Sequence, residues 1–339
     1  MSKIALDAMG GDNAPDINIR GAYLAALANK SIEITLVGIE AELLPLIKEF
    51  SDWPYDQITI QQASEVVTMS DSPGQSFRKK KDSSIVVGLN LVKKKICDAF
   101  VSAGNTGAVM TSAIFTLGRI KSVDRPPLAA VIPSQTRPFV LLDVGSNVDC
   151  KPEHLKQFAI MGNLFSKFVL KVDSPRIGLL NIGSEKEKGN IVTQDAHALL
   201  ESESINFIGN IEGKEITKGL ADVVVCDGFT GNTLLKFGEG LVSVFKDFLK
   251  THSRNSIICK LGLALSKPLF RKFKTHFDHE QHGGAHLLGI NGITIISHGS
   301  ASPLAIKNAI LMAHSGIETN INQMIQNHLT KTETSITQS

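Results

Sequence analysis

Six times along the chain a short apolar run ends abruptly in Gly, Asn, Asp or Ser: Ile4 to Asp12, Ala99 to Gly107, Phe139 to Asn147, Ile177 to Glu185, Val223 to Asn232 and Ile293 to Ser302. Runs of this length, rich in Ile, Val and Leu and closed by turn formers, read as buried strands. Further strands are predicted at Ile34 to Val37 and Ile58 to Gln61. Between them, apolar residues recur at helical spacing. Helices are predicted over Ile17 to Asn29, Glu40 to Phe50, Ser84 to Lys95, Gly107 to Arg119, Pro152 to Val169, Asn190 to Glu201, Thr233 to Leu249 and Pro303 to Met324. Strand, loop and helix in alternation define an α/β protein with a mainly parallel sheet. Ligands bind beyond the carboxyl ends of such strands, so six polar strand ends predict one crevice lined with backbone N–H groups, hydroxyls and amides. That crevice suits an anion.

Composition narrows the class. The 339 residues are 42% hydrophobic and 20% charged with a formal net charge of +2, which argues against a general nucleic-acid binder. No apolar run reaches the roughly 18 to 20 residues that span a bilayer. Lys3, Ile4, Ala5 and Leu6 begin a strand at once, leaving no room for a signal peptide. Cys97, Cys150, Cys226 and Cys259 show no CxxC spacing, so a reducing cytoplasm is expected. One domain is expected over residues 1–329, with a flexible Ser/Thr-rich tail at 330–339.

The strand ends carry the candidate chemistry. Asp7 with Gly10 and Gly11 precedes Pro15 and a helix; it forms either a tight turn with Asp12 or Asn13 as N-cap, or a close backbone approach to a ligand. It is not GxGxxG, and a dinucleotide is not indicated. Ser102, Gly104, Asn105 and Thr106 fit an anion cradle at a helix N-terminus and equally an N-cap. Asp143, Asn147, Asp149, Cys150 and Lys151 gather at one strand end; Cys150 is read as a buried thiol, since no His stands ready to activate it. Asn181 and Lys188 flank a charged, Gly-containing loop in which Lys188 is the best single cation for phosphate. Asp227 and Asn232 follow another strand, and His298 another. The basic run Arg78 to Lys81 stands before Ser83 and Ser84 at a helix start, either as a solvated face or beside an anion.

Arg254 to Phe277 breaks the pattern. Ile257, Ile258, Leu261, Leu265, Leu269, Phe273 and Phe277 fall roughly on one helical face, among Arg254, Lys260, Lys267, Arg271, Lys272 and Lys274. Pro268 should split the segment into two short helices. It is either a packed helix pair or a basic apolar protrusion that meets an anionic membrane or an acidic protein. His276, His279, His282 and His286 do not make a metal site by spacing, because Gly283 and Gly284 interrupt any helix that would align them.

Taken in order, MSKIALDAMGGDNAPD, RKKKDSS, VSAGNTGA, DVGSNVDCKPEHLKQFA, LLNIG with KGN, VVVCDGFTGN, HGGA and SHGS resemble the bacterial phosphate acyltransferases of phospholipid synthesis, the PlsX family. The likeness runs from about Lys3 to His314. It departs at Ser146, where Ala is usual, at Ser184, where Glu is usual, at His286, where a small residue or Pro is usual, and at Ser297, where Ala is usual. The resemblance implies an αβα fold similar to phosphotransacetylases and isocitrate-dehydrogenase-like proteins. It implies a homodimer, cytoplasmic and peripherally membrane-associated, that needs no cofactor or metal. Acyl-carrier-protein thioester and inorganic phosphate would give acyl phosphate, which then feeds a membrane glycerol-3-phosphate acyltransferase.

Such a reaction needs an anion held against an acyl carbon and a stabilised oxyanion, with no Ser-His-Asp triad. Ser102, Asn105, Thr106 and Lys188, with Gly10, Gly11 and Gly104, are expected at phosphate. Asn147, Asn181 and Asn232 are expected as oxyanion donors, Asp7, Asp143 and Asp227 as orienting groups, and His298 in proton traffic. Arg254, Lys260, Leu261, Leu265, Arg271, Lys272 and Phe273 are expected to meet carrier protein or membrane. Two other classes compete. A decarboxylating NAD-dependent dehydrogenase would need a metal carboxylate cluster and adenine contacts, and a non-catalytic carrier-protein or lipid-surface binder would not need six converging polar strand ends.

Overall fold

The computed structural model describes residues 1–254, 257–270, 272, 281 and 283–336. Its strands are β1 (Ser2–Asp7), β2 (Ile32–Gly38), β3 (Ile58–Gln62), β4 (Ala99–Ser102), β5 (Leu128–Ile132), β6 (Phe139–Leu142), β7 (Ile177–Asn181), β8 (Phe207–Glu212), β9 (Val223–Val225), β10 (Ala285–Leu287) and β11 (Ile293–Ile296). They form one sheet in the order β3-β2-β1-β4-β11-β10-β5-β6-β9-β7-β8.

Side chains alternate between two cores, as the two-residue period of a strand requires. Ile4, Leu6, Val140 and Leu142 face one side, and Ala5, Phe100, Phe139 and Leu141 face the other. The first core is covered by α1 (Asp16–Ala28), α2 (Glu40–Ile47), α6 (Pro152–Phe168), α7 (Ile191–Glu201), α10 (Pro303–Glu318) and α11 (Ile321–Ile336). The second is covered by α4 (Ser84–Lys93) and α5 (Thr106–Leu117), with Leu234 and Leu235 of α8 (Gly228–Arg254) packed against it. The fold is a three-layer αβα arrangement with a mainly parallel sheet.

Two short strands decide the geometry of the site. β10 pairs antiparallel with both β11 and β5, and β5 pairs antiparallel with β6. Three antiparallel pairings thus separate β11 from β6, and an odd number reverses direction. β1, β4 and β11 run one way; β6, β9 and β7 run the other. The expectation of six strand ends on a single rim is corrected: they divide three and three. The rims are nonetheless brought close. Ser102 stands level with Ile296, Ala285, Ala130 and Leu141, so β6 ends one residue past the row at which β4 ends. Sheet twist of roughly 20–25° per strand also turns β6 well away from strict opposition to β4.

Other boundaries shift for local reasons. The helix expected over Pro303 to Met324 breaks at Asn320, which adopts φ +49°, into α10 and α11. The polar segment from Thr330, expected to be flexible, continues as helix to Ile336. α8 begins at Gly228, five residues before the expected Thr233, because Asp227 caps it: Thr230 N and Oγ1 both donate to the Asp227 carboxylate at 2.8 Å. α9 (Ile257–Leu265) follows, and Phe270 N donates to Ser266 O across Pro268.

Candidate active site

At the first rim the predicted residues are structural members of two interlocked turns. Asp7 is 1% exposed. Its carboxylate accepts from Ser102 Oγ at 2.7 Å and from Met9 N at 3.1 Å, and Ser102 Oγ in turn accepts from Gly104 N. Burial pushes the Asp7 pKa up, opposed by the hydrogen bonds from Ser84, Ser102, Met9 and Gly10. A Cβ on Gly10 would lie 2.7 Å from Gly104 N, so the two turns touch only because Gly10 has no side chain. Gly11 takes φ +111°, and Asp12 N donates to Gly299 O, tying in the loop of His298.

Two expectations change here. Ser102 is buried and spent on Asp7 and Gly104, not presented to a ligand. Asn105 caps α5 through Ala108 N and donates to Met69 O and Asp71 O. Thr106 alone of that loop is exposed.

The second rim centres on Asp143, fully buried. It accepts six hydrogen bonds, from Leu128 N, Gly145 N, Ser146 N and Oγ, and Asn147 N and Nδ2. Asn147 Nδ2 gives its other hydrogen to Pro126 O at 3.0 Å. Asn147 therefore has no donor left for an oxyanion. Asn181 Nδ2 donates to Lys188 O, bracing the loop that carries the exposed Lys188, which makes no ion pair with any described residue. Asn181, Cys150, Cys226, Asp227 and Leu234 line a cleft of about 1030 Å³. Burial, then the charges of Asp143 and Asp227, push the Cys150 thiol up to about 12. It stays protonated and is no nucleophile.

α8 joins the rims. Asn232 packs against Gly145 of the second rim, where a Cβ on that glycine would lie 3.7 Å away. One turn on, Lys236 Nζ lies 3.4 Å from His298 Nε2 of the first rim and 2.9 Å from Glu239 Oε2. His298 Nδ1 is held at 2.8 Å by Ser300 Oγ. Thr106, Val144, Asn232, Lys236, Ser297 and His298 line the resulting cavity of about 170 Å³. Its polar groups can donate to a small anion; Lys236 is the cation where the two rims meet, and it shares its charge with Glu239, which lines the same cavity.

Lys236 and Glu239 fall inside the helix expected over Thr233 to Leu249, but with Asn232 left outside that helix nothing marks their face as part of a site. Once the helix begins at Gly228, Asn232 and Lys236 stand at i and i+4 on one face, the signal that would have found them.

Beyond the cavity α8 presents Phe237, Leu241, Val244, Phe245 and Phe248 to solvent, and α9 presents Ile258, Leu261 and Leu265, the last 83% exposed. Lys272 is exposed and helical. Arg254 closes α8 and Lys260 lies within α9. Arg271 and Phe273 lie outside the described residues, as do His276, His279 and His282. His286 is in β10, fully buried. Among the described residues no group of three His, Cys, Asp or Glu could hold a metal, and no helix is long and apolar enough to cross a membrane.

The family model described as fatty acid synthesis protein matches residues 2–324. The phosphate acyltransferase of Halothermothrix orenii is 47% identical over 97% of this chain and 99% of its own. That of Heliobacterium modesticaldum is 46% identical over 96% and 97%. In fold, the chain is similar to a phosphotransacetylase from Streptococcus pyogenes, with TM-score 0.62 and 17% identity over 94% of each chain. It is also similar to a branched-chain phosphotransacylase from Enterococcus faecalis, with TM-score 0.57 and 13% identity over 94% of this chain and all of that one.

Proposed function

The chain belongs to the fatty acid synthesis protein family, alongside the phosphate acyltransferases with which it shares 46–47% identity, and from that premise we propose that it makes acyl phosphate for phospholipid synthesis. The substrates are a long-chain acyl-carrier-protein thioester and inorganic phosphate. A phosphate oxygen attacks the thioester carbonyl, the carbon–sulfur bond breaks, and the electron pair leaves on the carrier's thiolate. Phosphate is substantially dianionic near neutral pH and a thiolate departs without strong acid help, so the protein's work is orientation, worth ~7–11 kcal/mol in favourable cases, and oxyanion stabilisation at ~3–4 kcal/mol per donor.

The observation that carries this reading is the junction cavity, where Lys236 and His298 stand 3.4 Å apart with Thr106 and Asn232 around them. In it Lys236 and Thr106 hold phosphate, Asn232 donates to the oxyanion, and His298, its ring fixed by Ser300, serves in proton traffic. Asp7 and Asp143 align the loops, with Gly10, Gly11, Gly104, Ser102, Asn105, Asn147 and Asp227 as their framework. Lys188, steadied by Asn181, is the competing cation on the second rim. The reaction draws on no cofactor. Incubation with palmitoyl carrier protein should release thiol only when phosphate is present; phosphate-independent release, or none, overturns the reading.

The exposed apolar faces of α8 and α9 support a homodimer that works in the cytoplasm at the membrane surface, delivering acyl phosphate to a membrane glycerol-3-phosphate acyltransferase. Leu261→Glu with Leu265→Glu should abolish co-sedimentation with anionic liposomes; equal sedimentation with the unaltered protein would remove α9 from the membrane contact.

A further inference from the structure

The basic run before α4 did not enter the cavity, and its four cations have divided. Lys80 turns inward, donating to Val66 O at 2.7 Å and pairing with Asp71 at 2.6 Å. Arg78, Lys79 and Lys81 point outward, exposed and without an ion pair to any described residue. Arg78 and Lys79 close α3 (Pro73–Lys79). Lys81 Nζ stands 4.1 Å from the ring centroid of Phe77, and Phe77 stacks on Phe115 of α5 at 5.3 Å. Phe115 is 68% exposed. An aromatic pair capped by Lys81, with Arg78 and Lys79 next to it in sequence, therefore faces solvent on a protein whose net charge is only +2.

The two helices that carry this ledge, α3 and α5, both start beside the cavity. Asn105 Nδ2 ties Met69 and Asp71 to the start of α5, next to Thr106, and a Cβ on Gly107 would lie 2.7 Å from Pro73 Cγ. Inorganic phosphate has no use for two stacked phenyl rings. A protein helix carrying Asp and Glu around an apolar residue has use for both features, because interface cores favour aromatics while opposite charges steer and register the partner.

We propose that the ledge of Arg78, Lys79, Lys81, Phe77 and Phe115 docks an acidic protein, the one that delivers the acyl thioester to the junction cavity. The proposal rests on the acyltransferase reading and adds where the donor's protein portion sits.

The test compares two donors of one acyl chain: the carrier-protein thioester and its N-acetylcysteamine thioester, which has no protein portion. Arg78→Glu/Lys79→Glu/Lys81→Glu should raise KM for the carrier-bound donor about tenfold or more, since three exposed pairs are each reversed. Its KM for phosphate and its turnover of the small thioester should stay unchanged, which also certifies folding. Phe115→Ala should raise the same KM by a smaller factor. Added salt should raise KM for the carrier-bound donor in the unaltered protein and barely in the triple variant. An unchanged KM for the carrier-bound donor overturns docking, and so does an equal loss with both donors. Loss of binding to phosphatidylglycerol vesicles with carrier-protein KM intact reassigns the ledge to lipid. If the unaltered protein turns over neither donor in a phosphate-dependent way, the acyltransferase reading fails and the ledge proposal falls with it.

Discussion

At the end of β1 the carboxylate of Asp7 receives four donors in a fully buried place, and burial outweighs them, pushing its pKa up. At the end of β6 the carboxylate of Asp143 receives six donors in an equally buried place. Both acids close a turn, but by different means. The first rim is held by close backbone packing, Gly10 against Gly104, with Asp7 as a partly satisfied pin. The second is held by one carboxyl group that gathers the N–H groups of residues 145–147. Asp143 is committed to its six donors and Asp7 to Ser102 and the turn at Met9, so both acids serve to hold their loops. What remains is the seam between the rims, where α8 brings Lys236 to His298.

The largest test of that contrast is removal of each pin. Asp143→Ala strands several buried donors and should cost about 3–5 kcal/mol in urea unfolding, with activity lost. Asp7→Asn keeps a polar, uncharged group of the same shape and should cost markedly less. Equal costs would mean that the rims are built alike.

Next comes the seat of the anion, which the two rims contest through Lys236 and Lys188. Lys236→Met should raise KM for phosphate tenfold or more, a factor equivalent to about 1.4 kcal/mol. Lys188→Met should change it much less, because Lys188 is exposed beyond Asn181. The reverse ranking in steady-state kinetics would move phosphate to the β7 rim and leave the junction cavity without its role.

Much of this architecture was legible in the residues. Alternation at Ile4, Ala5 and Leu6 gave strands with two buried faces, and the Gly-, Asn- and Asp-rich ends named the loops that build both rims. Strand direction was not legible. It depended on β5 and β10: Leu128–Ile132 is a short apolar run that was not read as a strand, and Ala285–Leu287 has only three residues. Parity of antiparallel pairings is a global property, and missing these two strands merged two rims into one. Side-chain roles failed for a related reason. Asn147 looks like a free donor until Asp143 and Pro126 are seen to take both its amide hydrogens, which sequence spacing cannot express. Family resemblance identified the loops without saying which of their atoms were already spent.

The seam itself carries a defect that separates it from both rims. His286 lies on β10 between them, 0% exposed, with neither ring nitrogen hydrogen-bonded to any described residue and its ring perpendicular to that of Phe165 at 5.5 Å. Burial lowers its pKa to about 3. The folded state thus binds fewer protons than the unfolded state between about pH 3 and the ordinary value near 6.5, and stability falls as pH drops through that window. His286→Leu should stabilise the protein by about 1–3 kcal/mol at neutral pH. The advantage should grow by about 2 kcal/mol at pH 5, since the ring is held neutral about 1.5 units below its free pKa. A denaturation midpoint difference that does not widen on acidification would mean that the ring finds a partner at the seam.

The smallest effect is a slope at the first rim. The raised Asp7 pKa means that the folded protein holds this proton more tightly than the unfolded chain, so the wild-type contribution is fullest below 3.8 and is lost as pH rises through the folded value. Asp7→Asn cannot titrate. The stability gap between wild type and Asp7→Asn should therefore narrow steadily as pH rises above 3.8, read from urea midpoints at each pH. A gap that widens instead would show that Ser84, Ser102, Met9 and Gly10 stabilise the anion more than burial penalises it. Asp7 would then be a bonded carboxylate like Asp143, and the two rims would differ in the number of their donors and not in kind.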